Sequence, residues 1–233
     1  MLFEYDEHPG KTMWASWTLG FIGRSVMRLA YQIRIIPPPD PQRTGPVLII
    51  SKHSTEIDIP LGYNAMLQAF GRHAWCVMKA SLARWFYLGF FWKIGGIPLD
   101  RDNPEKSKRY LQFAKKKLYD LEAGPGAGNM LVLFPEQTTF MRAMGEGKVP
   151  GFRFIAGKPA EPLACYPVGF RYEKRKFLRT KVEIEFGEAM YYTKQDDPAE
   201  FLHRIMSEVA RLSGLTYDFA PPEKKKVKAR AGE

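Results

Sequence analysis

The chain has 233 residues, of which 45% are hydrophobic, and a formal net charge of +10. This length suits one domain with an appended segment, and the hydrophobic content is ample for a core. The positive charge indicates an anionic partner, but no nucleic-acid-binding motif is present, so we expect no specific nucleic-acid partner. Both cysteines lie in apolar runs, which predicts reduced core residues of a protein that faces the cytosol rather than a disulfide framework.

The N-terminal segment, residues 1–40, is predicted to be a helical element at a membrane interface. Residues 1–11 are polar, and we expect them to carry no secretory signal and to be loosely held. A helical pattern rich in aromatic residues follows over residues 12–36, with arginines in its second half. It is too short to span a bilayer, and its tryptophans and arginines are typical of a helix in the headgroup region. The alternative is a helix packed on the protein's own core.

A proline-rich linker at residues 37–41 marks the start of the main domain, which we place at residues 41–220. Apolar runs bounded by turn residues predict buried strands at residues 46–50, 74–78, 95–101, 129–134, 163–172 and 181–186. The last of these alternates charged and apolar residues, as expected near a sheet edge. Helices are predicted after residue 58, at residues 79–93 and 103–122, after residue 150 and at residues 197–212. This alternation predicts an α/β fold with a mixed, largely parallel sheet flanked by helices. A basic tail, residues 221–233, follows.

A histidine and an aspartate occupy the loop after the first strand of this domain. On one continuous helix, His53 and Asp58 would point about 140° apart and would not meet. They can meet in a loop that closes onto a helix start, which Pro60 favours. The pattern fits a His–Asp dyad in which Asp58 fixes the tautomer of His53 for proton transfer. It equally fits a helix N-cap beside an ordinary loop histidine.

Four motifs at the ends of predicted strands occur in a fixed order. They are His53 with Asp58, Gly96 with Asp100 and Arg101, Phe134-Pro135-Glu136 with Thr138, and Tyr166-Pro167-Val168. Together they resemble the motifs of the glycerolipid acyltransferases of the lysophosphatidic-acid acyltransferase type, over roughly residues 45–190. The resemblance implies transfer of a fatty acyl group from a thioester to a hydroxyl of a lyso-lipid, without a covalent acyl-enzyme.

The resemblance also implies roles for particular residues. His53 would be the base that activates the acceptor hydroxyl, and Asp58 would orient it and stabilise its cation. Arg101 would bind the acceptor's phosphate and Glu136 would position its glycerol backbone; the alternatives are a surface ion pair and a strand-end cap. Backbone N–H groups of the turn that ends at Thr138 are candidate donors to the oxyanion. The Tyr-Pro-Val motif is expected to be structural.

The sequence departs from the usual family pattern, Phe-Pro-Glu-Gly-Thr followed by Arg-Ser. Gln137 replaces the glycine, which removes easy access to positive φ, so this turn must differ or carry strain. Thr139 replaces the arginine and Phe140 the serine, so one phosphate ligand is lost unless Arg142 or Lys148 substitutes. The acceptor is thus either 1-acylglycerol 3-phosphate or a similar lyso-phospholipid, or a lyso-aminolipid such as a lyso-ornithine-type lipid. A non-catalytic membrane lipid-binding protein of the same fold is a further alternative.

We expect no metal and no cofactor besides the donor thioester, which is carried by coenzyme A or acyl carrier protein. The other histidines, His8, His73 and His203, lie far apart in sequence without acidic or cysteine ligands at metal-binding spacing. The expected partners are membrane lipids, the lyso-lipid acceptor and the donor carrier. The N-terminal segment and the basic tail are predicted to hold the protein on the cytoplasmic face of a membrane.

Overall fold

The computed structural model describes residues 8, 10–83, 89–100, 104–120, 129–173 and 179–221. Its eight strands are β1 (Tyr31–Ile36), β2 (Val47–Ser51), β3 (Trp75–Lys79), β4 (Gly96–Leu99), β5 (Met130–Leu133), β6 (Leu163–Glu173), β7 (Thr180–Phe186) and β8 (Met190–Tyr192). Its α-helices are α1 (Met13–Phe21), α2 (Met27–Ala30), α3 (Asp58–Phe70), α4 (Phe90–Lys93), α5 (Pro104–Leu118), α6 (Val149–Ala156) and α7 (Pro198–Leu212). A π-helical turn, Ile22–Val26, joins α1 to α2.

The strands form one mixed sheet in the order β1-β7-β6-β2-β5-β3-β4, and β8 pairs with the first residues of β6. The pairings of β6 with β7 and β8 are antiparallel and the others are parallel, as the sequence predicted. Parallel strands β2, β5, β3, β4 and β6 therefore end at the same edge of the sheet. The loops that follow them are brought together there.

Two apolar layers cover the sheet because successive side chains of a strand point to opposite faces. Leu48 and Ile50 of β2 pack in a layer with α5, α6 and α7, whereas Val47 and Ile49 face α3. The helical segment of α1 lies outside α3, where Leu19 packs against Tyr63. No helix of the described residues is long and apolar enough to cross a membrane.

The prediction of one helix over residues 12–36 is wrong at its end. Residues 31–36 form β1, an edge strand that pairs in parallel with β7. Tyr31, Ile33 and Ile35 pack on the core and alternate with more polar residues, which is the period of a strand. The domain boundary that we placed at residue 40 therefore lies after a strand of the sheet. Residues 181–186, which we predicted near a sheet edge, belong to β7, the second strand from that edge.

Three further expectations differ from the structure. The aromatic stretch at residues 79–93 is not one helix, because a 3-10 turn (Ala80–Ala83) and α4 flank Gly89, whose φ of 71° is left-handed. Residues 84–88 lie outside the described part. His8 is not loosely held: its ring stacks on Phe113 with centroids 4.7 Å apart, and burial lowers its pKa to about 4. The short strand β8 was not predicted. Residues 222–233 of the basic tail are not described.

Candidate active site

The loop that follows β2 brings His53 and Asp58 together. Nδ1 of His53 lies 3.2 Å from Oδ2 of Asp58, whose side chain is fully buried, whereas 20% of the His53 side chain is exposed. Since a carboxylate can only accept, Nδ1 carries the proton in this pair, and in the neutral imidazole Nε2 is the unprotonated nitrogen. No hydrogen-bond partner to Nε2 is found within the described residues, and that nitrogen is therefore available to a substrate hydroxyl.

Asp58 does not act as an N-cap of α3. It is the first residue of that helix, and its Oδ2 accepts hydrogen bonds from the backbone N–H groups of Ser54 (2.5 Å) and Thr55 (2.8 Å), which precede it. An N-cap side chain would instead accept from the N–H groups that follow it. The carboxylate therefore folds the loop back on itself, and this fold places the imidazole against Asp58.

Glu136 follows β5 and binds the backbone of the loop that carries His53. We call this loop, residues 52–57, the catalytic loop. Its Oε2 accepts from the N–H of His53 at 3.2 Å, and its Oε1 accepts from the N–H of Gly145 at 2.5 Å. The side chain is fully buried and also pairs with Nζ of Lys52, at 3.5 Å. This geometry favours the strand-end role over direct contact with a substrate, and the predicted role in acceptor binding stays a prediction.

The loop after β5, residues 134–148, is also joined to the catalytic loop at two points beyond Glu136. The N–H of Phe140 donates to the carbonyl of His53 at 3.0 Å, and Nζ of Lys52 donates to the carbonyl of Ala143 at 2.5 Å. Desolvation lowers the pKa of Lys52, and the Glu136 carboxylate opposes that effect. These contacts hold the two loops together as one unit beside His53.

Gln137 stands in a strained backbone conformation at the turn after Glu136. Its φ is 59°, and it is the one non-glycine residue with positive φ among the residues that the structure describes. The strain expected from the loss of glycine is therefore confirmed. The N–H of Gln137 donates to the carbonyl of Phe134 at 3.0 Å, so it is not free to stabilise an oxyanion. Its side chain is exposed.

For the remaining predicted binding residues, the structure shows no hydrogen bond or ion pair with the His53–Asp58 dyad among the residues that it describes. Thr138 and Arg142 are exposed on the same loop as Gln137. Lys148 lies at the end of that loop, where its ammonium pairs with Glu146 at the surface. Arg101 lies outside the described residues, so its predicted contact with a phosphate stays a prediction. Within the described chain, no three His, Cys, Asp or Glu side chains come together as metal ligands would.

An apolar cavity opens beside the dyad, between the sheet, α1 and α3. It is narrow, with a cavity volume of about 50 Å³. Asp58 and Phe134 line it near the dyad, and the Phe134 ring centroid is 4.8 Å from that of His53. The deeper walls are almost entirely apolar and include Leu19, Ile49, Met66, Cys76, Phe170 and Phe186. Its apolar lining suits a hydrocarbon chain, and Asp58 of the dyad is one of the lining residues.

Two residues of the site were not predicted from the sequence. Lys52 precedes His53 and pairs with Glu136, and the hydroxyl of Tyr172 on β6 donates a hydrogen bond to Oδ1 of Asp58. Lys52 directly follows a run predicted to be a buried strand. This position could have pointed to an acidic partner, since charged groups are rarely buried unless paired. Tyr172 lies 114 residues from Asp58, and no local pattern connects them.

The fold is α/β, and its candidate site pairs a histidine with a buried aspartate beside an apolar cavity. A family model described as Acyltransferase matches residues 32–171, more than half of the chain, and the chain belongs to this family. The solved structure of the 1-acyl-sn-glycerophosphate (LPA) acyltransferase PlsC from Thermotoga maritima is similar in fold, with a TM-score of 0.59. The two sequences are 15% identical over 85% of this chain and 78% of that one. No curated protein matches the sequence.

Proposed function

We propose that the protein transfers a fatty acyl group from an acyl thioester to a hydroxyl of a lyso-phospholipid, with 1-acylglycerol 3-phosphate as the preferred acceptor. The observation that carries this proposal is the His53–Asp58 dyad, whose aspartate lines an apolar cavity. Membership of the acyltransferase family and the PlsC-like fold support the same reaction class. The thioester is carried by coenzyme A or acyl carrier protein. Both carriers are anionic, and the protein's net charge of +10 favours an anionic partner.

His53 acts as a general base in this mechanism. Its Nε2 takes the proton of the acceptor hydroxyl while that oxygen attacks the thioester carbonyl carbon. Asp58 accepts the hydrogen bond from Nδ1 and stabilises the imidazolium that forms. When the tetrahedral intermediate collapses, its C–S bond breaks, and the departing thiolate receives the proton back from His53. The products are a diacyl lipid and the free thiol of the carrier.

The headgroup of the acceptor meets the loop at residues 137–148 in this proposal. Exposed Arg142 and Lys148 supply positive charge there, and Arg101 is expected to add a guanidinium that suits a phosphate. Gln137 and Thr139 are neutral and exposed, and they replace a glycine and an arginine of the usual pattern. This replacement is the specific observation that favours the second candidate, acylation of a lyso-aminolipid.

The exposed apolar face of the N-terminal helices supports attachment to a membrane surface. Trp17 and Leu29 are 69% and 80% exposed, and Met13, Trp14, Phe21 and Val26 are also exposed. Arg24 and Arg28 are exposed on the same segment and suit anionic headgroups. Leu19 of α1 lines the apolar cavity, which supports a position of the cavity close to the lipid that supplies the substrate.

The proposal is tested with purified protein, an acyl thioester, and two acceptors in parallel: 1-acylglycerol 3-phosphate and a lyso-aminolipid. We expect a diacyl product by mass spectrometry, and His53→Ala should lower turnover at least ~100-fold, the usual scale for loss of a general base. Product from the lyso-aminolipid alone would replace the acceptor but keep the reaction class. A near-normal rate in His53→Ala, or no product from either acceptor, would contradict the proposed function.

A further inference from the structure

A tyrosine of β6, the strand that lies beside β2, completes the surroundings of Asp58. Tyr172, near the end of β6, donates its hydroxyl proton to Oδ1. The other carboxylate oxygen, Oδ2, already accepts from Ser54, Thr55 and His53. The catalytic loop thus donates its hydrogen bonds to Oδ2. Among the described residues, Tyr172 supplies the donor to Oδ1.

The phenol is well suited to remain a donor. Burial, and next the Asp58 carboxylate, raise the pKa of Tyr172 well above its usual value. The side chain packs in the apolar layer between the sheet and α3, and its ring stacks near Phe170 with centroids 6.4 Å apart. The hydroxyl thus remains a donor near neutral pH, and its direction is fixed by packing.

We propose that Tyr172 is a positioning residue of the acyl-transfer reaction, which acts on His53 through Asp58. Its hydrogen bond fixes the plane of the carboxylate and withdraws charge from it. A carboxylate with one donor fewer would hold the protonated imidazole more strongly. Tyr172 therefore helps to set the pH above which His53 is neutral and able to accept a proton. The inference rests on the proposed role of His53 as the base, but it can be tested without substrate.

The other ionisable groups around the dyad are unchanged by a substitution of Tyr172. Lys52 and Glu136 lie beside His53 and form their own ion pair. Tyr63 and Cys76 line the cavity with Asp58, and burial raises the pKa of each to about 12. Tyr31 of β1 lies behind Tyr172. A shift measured against wild type therefore reports the lost hydrogen bond, because these groups are common to both proteins.

Three proteins are compared with wild type: Tyr172→Phe, a protein with 3-fluorotyrosine at position 172, and Tyr119→Phe. Tyr119 is the matched control, because its hydroxyl donates to the carbonyl of Ala156 at 2.6 Å, on the opposite face of the sheet. The first readout is carbethoxylation of His53, which requires neutral imidazole, followed by peptide mapping from about pH 5 to about pH 9. The second is the pH profile of kcat/KM for acyl transfer.

In Tyr172→Phe we expect both midpoints to move to higher pH by about half a unit or more, because the lost bond is to a charged group. The fluorinated phenol is a stronger donor and keeps the native shape, so it should move them to lower pH even if the Phe variant folds poorly. Tyr119→Phe should leave both midpoints unchanged. Midpoints of both Tyr172 proteins that coincide with wild type would show a merely structural tyrosine and overturn the inference. Loss of the kcat/KM profile alone, with the carbethoxylation shift intact, would instead contradict the proposed function.

Discussion

The buried pair of Lys52 and Glu136 shows how a charged side chain can shape the site without facing it. Three donors converge on one carboxylate: an ammonium and two backbone N–H groups. Only an acceptor-only group satisfies all three, because an amide would turn an N–H group toward at least one of them. Since both members of the pair are almost completely buried, removal of either leaves the other charged and unpaired.

Glu136→Gln is expected to lower the free energy of unfolding by about 3–5 kcal/mol, the usual loss when a buried ion pair is broken from one side. It should also lower kcat, because the catalytic loop loses the acceptor for the N–H of His53. Urea unfolding and steady-state kinetics measure the two effects. The matched control is Glu208→Gln, which breaks the surface pair with Arg211 on α7 and should lower the free energy of unfolding by less than about 1 kcal/mol.

The same variant discriminates between the two roles predicted for Glu136. If the carboxylate positions the acceptor's glycerol backbone, Glu136→Gln raises the KM for the acceptor and leaves the unfolding free energy close to wild type. If it anchors the loops, stability and kcat fall together and KM changes little. A double variant, Lys52→Met with Glu136→Gln, should recover part of the lost stability because no buried charge remains.

At the scale of elements, the π-helical turn after α1 brings the N-terminal helices against α3. Gly23 lies in that turn, and a Cβ at this position would stand 2.1 Å from the carbonyl oxygen of Pro60 and 2.9 Å from Cβ of Asn64. Both contacts are far closer than atoms tolerate, so the close approach of the two segments requires glycine. This approach also positions Leu19, which forms a wall of the apolar cavity.

Gly23→Ala is therefore expected to destabilise the protein by about 1–3 kcal/mol, as overpacking of a tight contact does, and to expose residues 12–30 to limited proteolysis. The melting temperature and the digestion rate measure the effect. The control is Gly151→Ala in α6, where a Cβ meets nothing within 4 Å, and which should be neutral or up to about 1 kcal/mol more stable. Equal stability and equal digestion of the two variants would show that the N-terminal helices do not depend on this contact.

The elements that the sequence predicted well are those in which one period dominates. The buried runs of β2 and β5 and the capped pattern of α7 follow from local composition alone. Residues 31–36 were assigned to a helix because they continue an apolar pattern, although their isoleucines favour a strand once a sheet edge is present. His53 and Asp58 could be paired because they share one short loop. Tyr172 and Glu136 lie far from that loop in the sequence, on or just after the two strands that pair with β2. Their contacts therefore depend on the sheet order, which no local pattern encodes.

For the whole molecule, the exposed apolar residues are concentrated on the N-terminal helices. Six of the nine large hydrophobic residues that are exposed in the described structure lie between residues 13 and 29. The protein buries an ordinary core elsewhere, so an apolar face of this kind marks an interaction surface. With arginines at its margin, it suits a lipid surface better than an acidic or purely apolar partner.

Trp17→Glu with Leu29→Glu should weaken binding to vesicles that contain anionic lipid by at least ~10-fold, because each buried apolar side chain contributes about 1.5–3 kcal/mol. Tyr191→Glu is the control: Tyr191 is 57% exposed on β8, away from the N-terminal helices, and its loss should not matter. Cosedimentation with vesicles at low and high salt measures the apolar and the electrostatic contributions to binding. Equal binding of the double variant and the control would contradict the proposed membrane-facing role of the N-terminal helices.

The two free cysteines give the chain an internal pair of chemical reporters. Cys76 is partly buried and lines the cavity, whereas Cys165 is buried in the layer under α7; burial raises the pKa of both thiols, that of Cys76 to about 12. Neither thiol is appreciably ionised near neutral pH, so their slow alkylation depends on opening of the surrounding structure. The ratio of the two labelling rates therefore follows motion of the cavity separately from global unfolding. A bound hydrocarbon chain would be recorded as selective protection of Cys76, in the native sequence and without any attached probe.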